Sequence, residues 1–162
     1  MTSKTIPFHY WDSNTFINVI QGNDPGGGGA LRTLVKHVSE GKLLLATSTY
    51  TLAEVVKPLK HQGVLSLSDE EKIVNVFKWG NIRLYELTRL IAERARQLQW
   101  KSSLKPADAV HLATAEYAEV IRFETYDDKL ISKFQSVSPD FWKHKFEIGH
   151  PTISQSELNL NT

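Results

Sequence analysis

Apolar positions along the chain switch repeatedly between two spacings, and the switches predict strands that run into helices. Phe8 to Asp12 is short, aromatic and rich in strand formers; Phe16, Ile17 and Ile20 follow at helical spacing, with Gly22 as the stop. Leu31, Leu34, Val35 and Val38 fall on one helical face that ends at Gly41, and the apolar run Leu43 to Ala46 suits a buried strand. Thr47 to Thr51 offers several N-caps for a helix over Leu52 to Lys57, interrupted at Pro58. Ser68 and Glu71 have capping-box spacing and open a helix with Ile73, Val74 and Phe77 facing inward. Ile82 to Leu87 alternates as a strand should, and Leu90, Ile91, Ala95 and Leu98 mark a helix from Thr88. Pro106 fits the first position of a helix over Ala107 to Ala118. Val120 to Thr125 reads as a strand, a short helix over about Asp127 to Phe134 follows, and Phe146 to Ile148 makes a final edge strand ended by Pro151.

Strands alternating with helices need crossover connections, so the expected class is α/β, with a mainly parallel sheet and helices on both faces. The run Gly26 to Gly29 is expected as an exposed loop, because ordering four glycines costs too much backbone entropy for regular structure. One domain over residues 1–153 and a polar tail over 154–162 account for the chain. Its 162 residues, 41% of them apolar, are enough for a core without disulfides or a structural metal. Cysteine is absent, which excludes disulfide scaffolds, thiolate zinc sites and cysteine nucleophiles and is compatible with the cytoplasm, the expected location. The longest aliphatic run, Leu43 to Ala46, is far short of the about 20 residues a membrane span needs. Met1 to Pro7 has no signal-peptide pattern behind it, so secretion by that route is not expected. With 19 basic residues against 18 acidic ones, any attraction for a polyanion must be local.

In open parallel sheets, ligands collect beyond the carboxyl ends of the strands. Asp12 ends the first predicted strand, Glu54 lies in the helix after the second, Asp108 begins its helix, and Asp127 follows a strand by two residues. Asp108 and Asp127 also suit the plainer role of helix caps or dipole partners. Glu54 is flanked by Leu52, Ala53, Val55 and Val56, which suggest an element near the core, and Asp12 follows Tyr10 and Trp11 at a strand end. Two carboxylates about 4 Å apart repel by roughly 4 kcal/mol at an effective dielectric of 20, so such a gathering calls for a counter-ion. Hard oxygen donors suit Mg²⁺ or Mn²⁺, and the chemistry such an ion serves is phosphodiester hydrolysis.

The segments around these acids are Tyr10-Trp11-Asp12-Ser13-Asn14-Thr15-Phe16-Ile17, Ser48-Thr49-Tyr50-Thr51-Leu52-Ala53-Glu54-Val55, Lys105-Pro106-Ala107-Asp108-Ala109-Val110-His111-Leu112-Ala113-Thr114-Ala115 and Thr125-Tyr126-Asp127-Asp128-Lys129-Leu130. In content, order and spacing they resemble the four signature blocks of PIN-domain nucleases, over about residues 8 to 150. The resemblance implies an α/β/α sandwich, Mg²⁺ or Mn²⁺ dependence, endoribonuclease activity leaving 5′ phosphate and 3′ hydroxyl ends, and a homodimer. It assigns Asp12, Glu54, Asp108 and Asp127 to the metal-binding acidic core, with Asp128 as the alternative to Asp127. Asn14 and Thr125 become supporting polar groups that hold carboxylates or waters. Many small members of this family are toxins of VapBC-type pairs, which implies a small antitoxin as partner. A stand-alone housekeeping nuclease and a non-catalytic PIN-like RNA-binding or interaction module are the alternatives.

Lys78, Arg83, Arg89, Arg94, Arg96, Lys101 and Lys105 outnumber Glu86 and Glu93 in the one conspicuously basic stretch. Lys105, Arg96 and Lys101 are the candidates for RNA phosphate contact, and Trp100 for stacking an unpaired base, against the plainer reading of a solvated helix face. His111 shares a helix face with Asp108; it suits either phosphate contact and proton transfer or a structural hydrogen bond. The aromatic groups Phe8/Tyr10/Trp11 and Phe141/Trp142/Phe146 read as core or dimer surface. A haloacid-dehalogenase-type phosphatase would need an acid at Asn14, and a receiver domain would need one after Leu43 to Ser48; both fit poorly.

Overall fold

The computed structural model describes residues 5–57 and 62–154. The elements, in chain order, are β1 (Phe8–Trp11), α1 (Ser13–Gln21), α2 (Ala30–Ser39), β2 (Leu44–Ser48), α3 (Thr49–Glu54), α4 (Leu67–Val76), β3 (Ile82–Tyr85), α5 (Arg89–Lys101), α6 (Pro106–Tyr117), β4 (Arg122–Glu124), α7 (Asp128–Ser136) and β5 (Glu147–Gly149). The five strands form one all-parallel sheet in the order β3-β2-β1-β4-β5. Successive strands run outward from β1 to β3; the chain then returns to place β4 on the other side of β1. The β1–β4 boundary is therefore where strand order reverses, the place at which such sheets bind ligands.

The period-2 geometry of a strand sends neighbouring residues to opposite faces. Tyr10, Ala46 and Phe123 meet one core with Ile91 and Leu98 of α5, Leu112 of α6 and Leu130 of α7. Trp11 and Leu45 meet the other with Phe16, Leu31, Leu34 and Val76 from α1, α2 and α4. The result is the expected α/β/α sandwich. Trp11 Nε1 also donates to Glu124 Oε2 (2.6 Å), a buried bond that clips β1 to β4 just below their carboxyl ends.

Three local expectations are corrected. The helix expected over Leu52 to Lys57 instead begins at Thr49 directly on the end of β2, because Ser48 accepts from Tyr50 N (3.1 Å) and caps it. Leu52 and Val56 are exposed and only Val55 reaches the core, so the apolar flanks of Glu54 do not mark a buried element. Helix α4 is capped by Ser66, not Ser68: Ser66 Oγ accepts from Asp69 N (3.2 Å) and donates to Asp69 Oδ2 (2.8 Å). That shift of frame buries Val76 and leaves Val74 50% exposed. The glycine run is an exposed loop as expected, with Gly27, Gly28 and Gly29 all at positive φ (67°, 73° and 76°), where a side chain would be strained. Pro58 and, apart from Ser154, the expected polar tail lie outside the described residues. Among the described residues no helix is long and apolar enough to cross a membrane.

Candidate active site

Asp12 follows β1 in extended conformation and caps α1. Its Oδ1 accepts from Thr15 N (3.0 Å) and Thr15 Oγ1 (2.9 Å), and its Oδ2 accepts from Thr125 Oγ1 (2.5 Å). The residue is only 5% exposed. Burial pushes its carboxyl above the ordinary aspartate value; the His111 charge and the bonds from Thr125 and Thr15 act the other way without cancelling it. Thr125 stands one residue past β4, the neighbour of β1, and its Oγ1 also accepts from Asp127 N (3.0 Å). One buried hydroxyl thus ties Asp12 to the turn that carries Asp127. Asp127 in turn caps α7, its Oδ1 accepting from Lys129 N (2.9 Å) and Leu130 N (3.0 Å). Asp128 points elsewhere: it is exposed and meets His150 Nε2 at 2.7 Å.

Glu54 ends α3, and its Oε2 accepts from Ser13 Oγ, beside Asp12 on α1, and from His111 Nε2 (2.7 Å) on α6. Burial opposes ionisation of Glu54, but the bonds from His111 and Ser13 and the His111 charge prevail and hold the carboxyl below its ordinary value. Asp108 lies one turn before His111, in the first turn of α6. Its carboxyl is raised by burial and by the charge of Asp127, against the pull of Lys105, His111 and Lys133. At the carboxyl end of the sheet His111 thus bonds Glu54 and acts on Asp12 and Asp108, while Asp127 acts on Asp108 and is tied through Thr125 to Asp12.

The gathering is open rather than a closed cage. Among the described residues no three His, Asp or Glu side chains converge as a ready metal-ligand set. The donors are nonetheless of one hard-oxygen type; burial raises the carboxyls of Asp12 and Asp108, and the charge of Asp127 adds to the rise at Asp108. An Mg²⁺-class ion, which keeps several waters and uses one or two protein carboxylates, matches that donor set.

The supporting residues divide. Thr125 stands where a carboxylate-holding group is expected. Asn14 does not: its Oδ1 accepts from Asn18 Nδ2 (2.8 Å) one turn along α1. Arg94 is withdrawn from the basic stretch altogether, because it is buried in a two-pronged ion pair with Glu116 (Nε to Oε2 2.6 Å, Nη2 to Oε1 2.9 Å) and donates to Phe141 O. Arg96 lies over the ring of Trp100 (5.3 Å), which is 71% exposed, while Lys101 faces the Phe141 ring at 5.8 Å. Lys105 is exposed at the N-cap of α6, close enough to act on Asp108. Lys133, outside the basic stretch, also acts on Asp108, and its Nζ donates to Ser103 O (2.7 Å).

Sequence reasoning missed Ser13, Thr15 and the hydroxyl of Tyr10, which meets His111 Nδ1 at 2.8 Å. For Thr15 there was a signal: an aspartate directly before a helix, three residues ahead of a threonine, is an N-cap arrangement. Tyr10 is core, as expected of its ring, yet its polar end belongs to the site.

A family model described as PIN domain matches residues 10–135. No match to a curated protein is found. Among solved structures, the chain is similar to a toxin–antitoxin complex from Klebsiella pneumoniae at 20% identity and TM-score 0.53, covering 80% of this chain and 95% of that one. It is also similar to the Mycobacterium tuberculosis toxin VapC20, described as cleaving the sarcin–ricin loop, at 13% identity and TM-score 0.60, covering 76% and 93%. VapBC2 from Rickettsia felis, bound to a DNA fragment of its promoter, matches at 11% identity and TM-score 0.59 over 88% and 98%. At such identities these likenesses concern the fold; the match over residues 10–135, carried by the same strands and helices that hold the four acids, means that the chain belongs to the PIN-domain family.

Proposed function

We propose that this protein is a metal-dependent endoribonuclease that hydrolyses RNA phosphodiester bonds and acts as the toxin of a toxin–antitoxin pair. The observation that carries the reading is the placement of Asp12: a nearly buried carboxylate at the switch point of a parallel sheet, held by three hydrogen bonds, linked through Thr125 to the turn of Asp127, with its chain neighbour Ser13 bonded to Glu54. Asp12 and Asp108, with Glu54 and Asp127, would hold Mg²⁺ or Mn²⁺. Such an ion supplies an acidified water and stabilisation of charge on the phosphodiester.

The protein's own share is positioning. Thr15 and Thr125 fix Asp12, and Thr125 fixes the Asp127 turn relative to it. Lys105 brings positive charge to the edge of the acidic pocket, with Lys101 and Arg96 further along α5, so that a polyanion is drawn toward the acids and not repelled by them. Exposed Trp100 offers a face for an unpaired base.

The toxin role is supported by the relatives described as a toxin and as toxin–antitoxin complexes. A small antitoxin is the partner this implies. A homodimer is supported by the groove between α5 and α6, where Leu90 and Tyr117 leave apolar surface exposed. The test is cleavage of single-stranded and structured RNA by purified protein, with metal removed by chelation and then restored. Cleavage should vanish and return, and Asp108→Ala should abolish it with the fold retained; metal-independent cleavage, or full activity in Asp108→Ala, would refute the proposal.

A further inference from the structure

His111 is almost wholly buried, yet it joins four elements at once. Its Nδ1 meets Tyr10 Oη of β1 at 2.8 Å, and its Nε2 meets Glu54 Oε2 of α3 at 2.7 Å and lies 3.4 Å from Ser13 Oγ of α1. Counting protons fixes the direction of the bond to Glu54. An ionised Glu54 can only accept, so His111 Nε2 carries hydrogen. Tyr10 Oη accepts from Ser48 N (3.1 Å) and meets the other ring nitrogen, Nδ1. Burial holds the Tyr10 phenol in its protonated form. The chain Ser48 N, Tyr10 Oη, imidazole and Glu54 carboxylate therefore runs unbroken from the sheet to the acid.

The acid at its end has little else to hold it. Glu54 closes a six-residue helix, and Leu52 and Val56 beside it are exposed, so backbone packing does not lock its side chain. Both of its hydrogen bonds arrive at Oε2; among the described residues Oε1 accepts none.

We propose that His111, locked by Tyr10, is a positioning residue that holds Glu54 by Oε2 and presents Oε1 to the ion and substrate at the switch point. This rests on the metal-nuclease reading above. The imidazole itself touches no substrate. Its ring also packs edge-on against Tyr10 and Tyr50, with centroids at 5.9 and 6.2 Å, so a purely structural role has to be told apart from a positioning one.

Three variants separate them. His111→Phe keeps a ring and loses both bonds, His111→Gln keeps an N–H for Glu54, and Tyr10→Phe keeps the core volume and removes the lock. Mn²⁺ affinity of the purified proteins, measured by calorimetry, should fall about 10-fold or more in His111→Phe, recover most of that in His111→Gln, and fall by a smaller factor in Tyr10→Phe. Wild-type affinity in a folded His111→Phe or in Tyr10→Phe would overturn the inference. The imidazole ¹⁵N spectrum of the unaltered protein gives a readout independent of any variant's folding: saturating Mg²⁺ should shift the His111 Nε2 resonance, and a resonance that stays put would also overturn it. Absence of Mn²⁺ binding by the unaltered protein would instead bring down the metal reading and this inference with it.

Discussion

Thr125→Val probes the hydroxyl on which the site turns. The substitution keeps the branched shape in a fully enclosed position and removes Oγ1, the donor to Asp12 Oδ2 at 2.5 Å and the acceptor for Asp127 N at 3.0 Å. A hydrogen bond to a charged group contributes about 1.5 to 3 kcal/mol, and the amide of Asp127 loses its partner as well. The expected cost is about 2 to 3 kcal/mol, equivalent in a chain of this size to a fall in Tm of about 4 to 12 °C. Its pH dependence has a definite sign. Asp12 has a folded-state pKa above its unfolded value, so folding favours its protonated form, and stability falls as pH rises through the interval between the two values. Losing the Thr125 donor raises the folded value further. The deficit of the variant should therefore be largest above that value, where Asp12 is ionised, and shrink as pH falls through it. Melting curves of both proteins from pH 4 to pH 8 in chelator test this, with Thr125→Ser, which keeps the hydroxyl, as the control. A deficit that is the same at all pH values, or a variant as stable as the parent, would refute the reasoning.

Further outcomes follow from the other charged groups. Asp108→Asn should abolish RNA cleavage yet raise the Tm of the metal-free protein by a few degrees at neutral pH, because it removes a charge that burial and Asp127 disfavour; melting in chelator checks this, and a lowered Tm would contradict it. Arg94→Met should leave Glu116 buried without its partner and cost about 3 to 5 kcal/mol in denaturant titrations, with no change in RNA affinity beyond what unfolding explains. Lys105→Ala should do the reverse, leaving stability unchanged, weakening RNA binding and lowering the slope of log affinity against log salt by about 1. An unchanged slope would remove Lys105 from the substrate path.

The sheet and its helices were legible because their apolar spacing is strong: Phe16, Ile17 and Ile20 before Gly22, or Leu90 to Leu98 before the turn at Ser102, admit one reading each. The acids were legible for a different reason, namely that topology sends every strand end to one side. Helix α4 was misframed because Ser66 and Ser68 each precede an acid by three residues, and the sequence offers no ground for choosing between them. Helix α3 was set too late because Thr49 to Thr51 carry no apolar period, although Ser48 can cap as readily as the residues after it. The basic stretch misled at Arg94, whose partner Glu116 lies on the next helix, 22 positions on. Pairings such as Thr125 with Asp12 or Tyr10 with His111 span more than a hundred residues, and only the folded sheet brings them together.

If a hard divalent ion completes these carboxylates, anomalous scattering from Mn²⁺-soaked crystals will locate it among them. A manganese peak is expected within ligand distance of Asp12 or Asp108, abolished or weakened by Asp12→Ala. A peak remote from both residues, or none at saturating Mn²⁺, would contradict the metal reading.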